Sequence, residues 1–225
     1  MSNVETTTCR PHRVSSADFG PEVNILSEIV RPEVSLAVWL RGRGPTVEEL
    51  LPDLPVSHAD GCDGCNSFEI AAHCAPLSIE RGIARILPRR SVQRTALARD
   101  VAELAALFAR LIKAPRLEIR LERVETDSCR KFHTDWVSVR LLCTYLGGGT
   151  QWLPEESADR RMLRRGGNKD ICLDPGSVQS LPQFAVGLFK GEAWPGNEGR
   201  GVIHRSPPIA ASGGARVLLC IDATQ

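Results

Sequence analysis

The sequence has almost no net charge. Its 28 basic and 27 acidic residues leave +1 at pH 7, so no bulk field draws it to nucleic acid or to an anionic membrane. It lacks any apolar run of the ~18–20 residues that a membrane-spanning helix needs. The first thirteen residues, MSNVETTTCRPHR, lack the apolar centre of a secretory signal. The expectation is a cytoplasmic protein with neither membrane nor nucleic acid among its partners. No phosphate-cradling glycine loop and no Gly-x-Ser-x-Gly elbow occur, which removes the common nucleotide-binding and serine-hydrolase signatures. Internal repeats and low-complexity tracts are absent too. Cysteine is not scarce: without an export signal, Cys9, Cys62, Cys65, Cys74, Cys129, Cys143, Cys172 and Cys220 read as reduced thiols, several of them small hydrophobes inside apolar runs. With 42% hydrophobic and 24% charged residues in 225, the chain is of ordinary globular composition and long enough to fold without staples.

Residues 1–90 carry scattered Pro and Gly and only short apolar pieces such as Ser35–Leu40, so a helical and irregular lead-in is expected there. Leu97, Val101, Leu104, Phe108 and Leu111 then recur at steps of four and three, which predicts a helix over about 92–113, ending before Pro115. Beyond Pro115 the period becomes two: Leu117, Ile119 and Leu121 alternate with Glu118, Arg120 and Glu122. Further strands are expected over about 137–146, 171–173, 184–189, 201–204 and 216–221, with PPIAASGGA as a long hairpin loop between the last two. Six or so short strands point to a sandwich or barrel. The expected fold is α+β, with residues 91–225 as helix plus barrel, packed with residues 1–90 as one compact unit. Arg160–Lys169 (RRMLRRGGNK) is the only basic cluster; it reads first as a solvated loop and second as a contact for a phosphate or an acidic substrate.

The chemistry-bearing residues begin with His133-Thr134-Asp135. Two residues apart in an extended chain, His133 and Asp135 point the same way and reach one ion. Two histidines and a carboxylate on one face of a metal leave open positions, as in non-heme iron oxygenases. The dipeptide spacing alone is weak: 27 acids in 225 residues make a chance match among five histidines no surprise, and His58-Ala59-Asp60 is a second one. His133, however, precedes an extended apolar segment, whereas His58 lies in a Gly/Asp/Asn loop. The third ligand is expected from a later strand, and His204 is the one histidine left in the C-terminal half. Arg216 opens the last strand, and a hairpin would return it near His204. A guanidinium there suits the carboxylate of an oxo-acid.

The stretch FHTDWVSVRLLCTYLGGGTQWLP resembles the metal-binding core of prolyl-hydroxylase-like 2-oxoglutarate/Fe(II) dioxygenases. Together with HRSPP and RVLLCID it is also similar to a bacterial family known only as a domain of unknown function. The resemblance spans about residues 116–222. It implies a C-terminal double-stranded β-helix, or jelly roll, and Fe(II) and 2-oxoglutarate as cofactors. By position it implies iron at His133, Asp135 and His204, with the distal carboxylate of 2-oxoglutarate on Arg216 and Tyr145 assisting. Arg205 and Arg140 are the other candidates for that carboxylate. Trp136, Arg140 and Trp152 flank the core strand as candidate pocket residues for a small-molecule or peptide substrate.

A second constellation is His58, Cys62, Cys65, His73 and Cys74. Paired thiolates two residues apart form half of many zinc sites, so a structural Zn(II) is one expectation for this segment and free loop cysteines the other. Three functions follow: an Fe(II)/2-oxoglutarate-dependent dioxygenase, a non-catalytic divalent-metal (zinc) protein, or a cupin-like metalloenzyme that does not use 2-oxoglutarate.

Overall fold

The computed structural model of the chain describes residues 16–57, 66–127, 129–209 and 214–224. The elements are β1 (Ser16–Gly20), β2 (Val34–Trp39), β3 (Ser67–Ala71), α1 (Ala75–Ile86), α2 (Val92–Ile112), β4 (Arg116–Val124), β5 (Val139–Leu146), β6 (Gln151–Trp152), α3 (Asn168–Ile171), β7 (Gln179–Ser180), β8 (Val186–Lys190), β9 (His204–Arg205) and β10 (Arg216–Thr224). Seven strands form one sheet in the order β1-β2-β8-β5-β10-β4-β3, and β7-β6-β9 form a second. All pairs are antiparallel except β1 with β2. Two facing sheets with α1 and α2 on one side make a jelly-roll-like α+β architecture.

The local causes are legible in the residues. Helix α2 starts where the Ser91 hydroxyl accepts from the Arg94 N–H at 3.0 Å, and stops at Lys113, which is left-handed at φ 54° and donates to Ala109. Its stripe of Leu97, Val101, Leu104 and Phe108 is buried. It packs on the outer face of the large sheet, where Leu117, Ile119 and Leu121 of β4, Leu141 and Cys143 of β5, and Leu219 and Ile221 of β10 share its core. Strand alternation sends the intervening residues to the inner face. There Leu36, Val38, Leu142, Leu218 and Cys220 meet Trp152, Leu181 and Val202, which close the jelly roll from the other side. A third cluster of Phe132, Leu153, Ile171, Cys172 and Ile203 holds the 155–178 segment to the protein.

Three expectations need correction. The segment before residue 90 is not a helical lead-in alone: it supplies β1, β2 and β3 to the large sheet, alongside α1. Strand β2 was hard to type because all but the last of its six residues, VSLAVW, are buried, so no alternation shows. The expected 171–173 strand is reduced to a single antiparallel bridge of Cys172 with Ala158, directly after a turn of helix over Asn168–Ile171. Finally, β9 and β10 are not a hairpin: β9 pairs with β6 in the small sheet, and β10 with β4 and β5 in the large one. The connection between them crosses from one sheet to the other.

Candidate metal centre

His133 and His204 are an opposed antiparallel pair outside the main ladders. The His133 N–H donates to the His204 carbonyl at 3.0 Å, and the His204 N–H returns the bond at 2.9 Å. Opposed residues of such a pair point to one side, and the two rings lie 4.6 Å apart between centroids. Asp135, two residues on, joins them: His204 Nε2 is 3.2 Å from Oδ2 and His133 Nε2 is 3.8 Å from Oδ1. One ligand atom from each residue lies within 4.8 Å of the others. Each imidazole is oriented through its other nitrogen, with His133 Nδ1 2.8 Å from the Lys131 carbonyl and His204 Nδ1 3.0 Å from the Val202 carbonyl. With Nδ1–H donating to the carbonyl, the Nε2 lone pair faces the centre of the cluster.

Asp135 is fixed from behind. Arg140 Nη1 donates to its Oδ2 at 2.7 Å, while Arg140 Nε and Nη2 hold both oxygens of Asp222 at 2.8 Å. Arg120 adds a further bond to Asp222 at 2.8 Å. Burial opposes the charged form of Asp135, but His204, Arg140 and His133 outweigh it and hold the carboxyl well below the usual range. Burial, then the neighbouring His204, lowers the His133 pKa. An ionised carboxylate beside an imidazole kept neutral is the donor set that binds a divalent first-row metal.

Arg216 is the other feature of the inner face. It is 1% exposed, and its nitrogens bond only hydroxyls: Nη1 to Ser206 at 3.1 Å, Nη2 to Thr150 at 2.7 Å and to Thr144 at 3.3 Å. Among the described residues no carboxylate lies within ion-pair distance, and Nε has no partner. Burial pulls its pKa down to about 10. Ser206 lies two residues beyond His204, so this guanidinium sits close to the strand that carries one histidine.

The other expected site residues separate. Tyr145 faces the helix layer, where its hydroxyl donates to Asp100 at 2.6 Å; strand parity places it opposite Thr144, and Thr144 is the residue that meets Arg216. Arg140 is occupied by Asp135 and Asp222, so it is not a free partner for a carboxylate. Arg205 stands over the Phe132 ring at 4.2 Å and donates to Gln151, on the opposite face from His204. Trp152 pairs in register with His204 and packs between the sheets with an unpartnered Nε1. Trp136 is 70% exposed and lines a cavity of about 850 Å³ with His133, Thr134 and the Arg160–Arg165 segment. His58, Cys62 and Cys65 lie outside the described residues. His73 is exposed at a one-turn helix over Ala72–Cys74. Sequence reasoning missed Thr144, Thr150, Ser206 and Asp222. The period-two face Arg216, Leu218, Cys220, Asp222 was the signal that could have found the last.

Among solved structures the chain is similar to the dioxygenase for auxin oxidation 1 of Arabidopsis thaliana in its 2-oxoglutarate complex, with TM-score 0.52 and 11% identity over 93% of this chain and 92% of that one. The rice dioxygenase for auxin oxidation aligns with TM-score 0.51 and 14% identity over 93% of this chain and 82% of that one. These likenesses are of fold. A prolyl-4-hydroxylase of Pseudomonas putida aligns at TM-score 0.32 and 12% identity, over 82% of this chain and 99% of that one. No curated protein matches the sequence. The model of a family described as "Protein of unknown function (DUF1826)" matches residues 20–222, and the chain belongs to that family.

Proposed function

We propose that the protein is an Fe(II)- and 2-oxoglutarate-dependent dioxygenase that hydroxylates a small-molecule or peptide substrate. The observation that carries this reading is Arg216: a guanidinium buried on the inner face, bonded to three hydroxyls, with an orphan Nε and no acidic partner among the described residues. A buried charge left unpaired costs several kcal/mol, and a carboxylate arriving with a cosubstrate removes that cost. The His133, Asp135 and His204 cluster fits Fe(II) by donor type, with two imidazoles and one carboxylate.

When bound, iron and 2-oxoglutarate supply the oxidising chemistry: one atom of O2 becomes the substrate hydroxyl and the other enters succinate as CO2 leaves. The chain's own residues supply position and dryness. His133 and His204 present Nε2, and Asp135 presents its carboxylate under the grip of Arg140. Arg216 takes the distal carboxylate, with Thr144, Thr150 and Ser206 fixing the plane of its fork. Leu142, Leu218 and Cys220 keep water from the inner face.

The test is an anaerobic titration of the metal-free protein with Fe(II) and then 2-oxoglutarate, following the visible charge-transfer band of a chelated cosubstrate. The band is expected in the wild type, is expected to vanish in Asp135→Ala, and in Arg216→Ala to need at least tenfold more 2-oxoglutarate. Stoichiometric metal at these ligands with no band would instead make this a metal protein without 2-oxoglutarate.

A further inference from the structure

The cavity beside His133 has an uneven wall. Arg160, Arg161, Arg164 and Arg165 line it, together with Glu192 and Glu198. Arg160 is held by Glu155 and Arg161 by Asp159. Arg164 and Arg165 are exposed and have no acidic partner among the described residues. Glu192 accepts from the Gly199 N–H at 2.5 Å. The arginine segment is solvated, as expected of it, but anchored at its base: Met162 and Leu163 pack onto the cluster of Phe132, Leu153 and Ile171, so the backbone that carries the two exposed arginines is tethered beside the cavity. Trp136 borders the same space while 70% exposed, an apolar ring that the fold leaves uncovered one residue past the Asp135 ligand.

We propose that the substrate is a planar organic anion, its ring stacked on Trp136 and its carboxylate or phosphate paired with Arg164 and Arg165. This rests on the oxygenase reading and names the substrate class for the same site. The two arginines supply forked donors matched to either anion. A flat ring on an exposed indole gains contact area at little cost in conformational entropy. Together these groups hold the anionic end at the rim and direct the rest of the molecule toward His133.

The experiment is equilibrium dialysis, under anaerobic conditions, of the protein with Fe(II) and 2-oxoglutarate against four naphthalene probes of one ring shape: 1-naphthylacetate, 1-naphthyl phosphate, 1-naphthylacetamide and 1-naphthylmethylamine. At least one anion is expected to bind about tenfold or more tightly than the neutral amide, in line with charge-assisted hydrogen bonds. The Arg164→Ala/Arg165→Ala double variant is expected to lose that preference while still binding the amide. Trp136→Ala is expected to weaken anion and amide alike. The acetate and the phosphate distinguish which anion the arginines take. Equal binding of anion and amide, no saturable binding of any probe, or a preference that survives the double variant would overturn the proposal; a preference for the amine would put the substrate charge on Glu192 and Glu198 and overturn it too. The charge-transfer band is read in the same samples. Its absence tells against the oxygenase reading, while the dialysis still decides whether the arginine wall selects anions.

Discussion

Arg140 reaches two carboxylates at once, Asp135 and Asp222, and this double grip decides what a single substitution does. Asp135 is the only acidic member of the candidate metal cluster, and a carboxylate ligand free to rotate binds less well than one held by a forked donor. Arg140→Ala is therefore expected to weaken Mn(II) or Fe(II) binding by about 10–100-fold, read by competition with a chelating dye. Arg140→Lys, which keeps the charge but loses the fork, is expected to fall between. Unchanged affinity in Arg140→Ala would mean that Asp135 needs no outside help. Lys190 makes a different residue-scale case. It is buried, donates to the Arg31 carbonyl at 2.9 Å and lies 5.0 Å from the Trp194 ring centroid, and burial lowers its pKa from 10.5 to about 8. Between these two values the unfolded chain holds a proton that the folded one has released. The Lys190 contribution to stability therefore rises with pH across that window and is unfavourable below it. The difference in unfolding free energy between wild type and Lys190→Met is expected to shift toward the wild type by up to about 3 kcal/mol from pH 8 to 10.5, measured by urea unfolding at each pH. A difference flat in pH would show that Lys190 titrates normally.

Among the elements, the end of β8 is what places the Asp135 loop. The Glu192 N–H donates to the Asp135 carbonyl at 2.9 Å and the Gly191 N–H to the Ser138 carbonyl at 2.9 Å, and a Cβ on Gly191 would meet the Val137 carbonyl oxygen at 2.2 Å and that of Asp135 at 2.8 Å. Backbone cannot yield as a side chain tip does, so Gly191→Ala is expected to push the loop away from His204. Metal affinity should drop at least tenfold, with far-UV circular dichroism unchanged; a variant that binds metal like the wild type would mean the loop accommodates the methyl. The readable and unreadable parts of the chain divide along the same lines. Helix α2 and strand β4 were plain because one face of each is apolar at a single period. His133 and Asp135 were readable from residue type and spacing and His204 as the one histidine left in the C-terminal half, whereas Arg216 was expected beside it through a hairpin that does not form. Tyr145 was misplaced because parity, not proximity, decides which face a strand residue occupies, and Thr144 beside it carried no chemical signal of its own. Strands β1 and β3 are five residues each with two polar members, and the Phe68 and Ile70 alternation of β3 is too short to stand out from loop. The two-residue strands of the small sheet exist only through their partners.

At the scale of the whole molecule, the proposed site draws on segments far apart in sequence: residues 133–135 before β5, His204 on the small sheet, and Arg216 on the large one. The two sheets meet only in the folded state, so an unfolded chain offers no comparable set of ligands, and binding must appear as stability. A ligand at one hundred times its dissociation constant adds about 2.7 kcal/mol, and for a domain of this size each kcal/mol corresponds to roughly 2–4 °C in midpoint. Mn(II), which occupies iron-type sites without turnover, is thus expected to raise the thermal midpoint of the wild type by roughly 5–10 °C at that saturation, and 2-oxoglutarate to add a second increment only when metal is present. The variants separate the parts. Asp135→Ala should lose both increments, since it removes the carboxylate between the sheets. Arg216→Ala should keep the metal increment and lose most of the second, since its guanidinium meets only the distal end of the cosubstrate. Equal shifts in wild type and Asp135→Ala would move metal binding elsewhere in the chain, and a 2-oxoglutarate increment that survives Arg216→Ala would leave the buried arginine as a structural residue of the barrel.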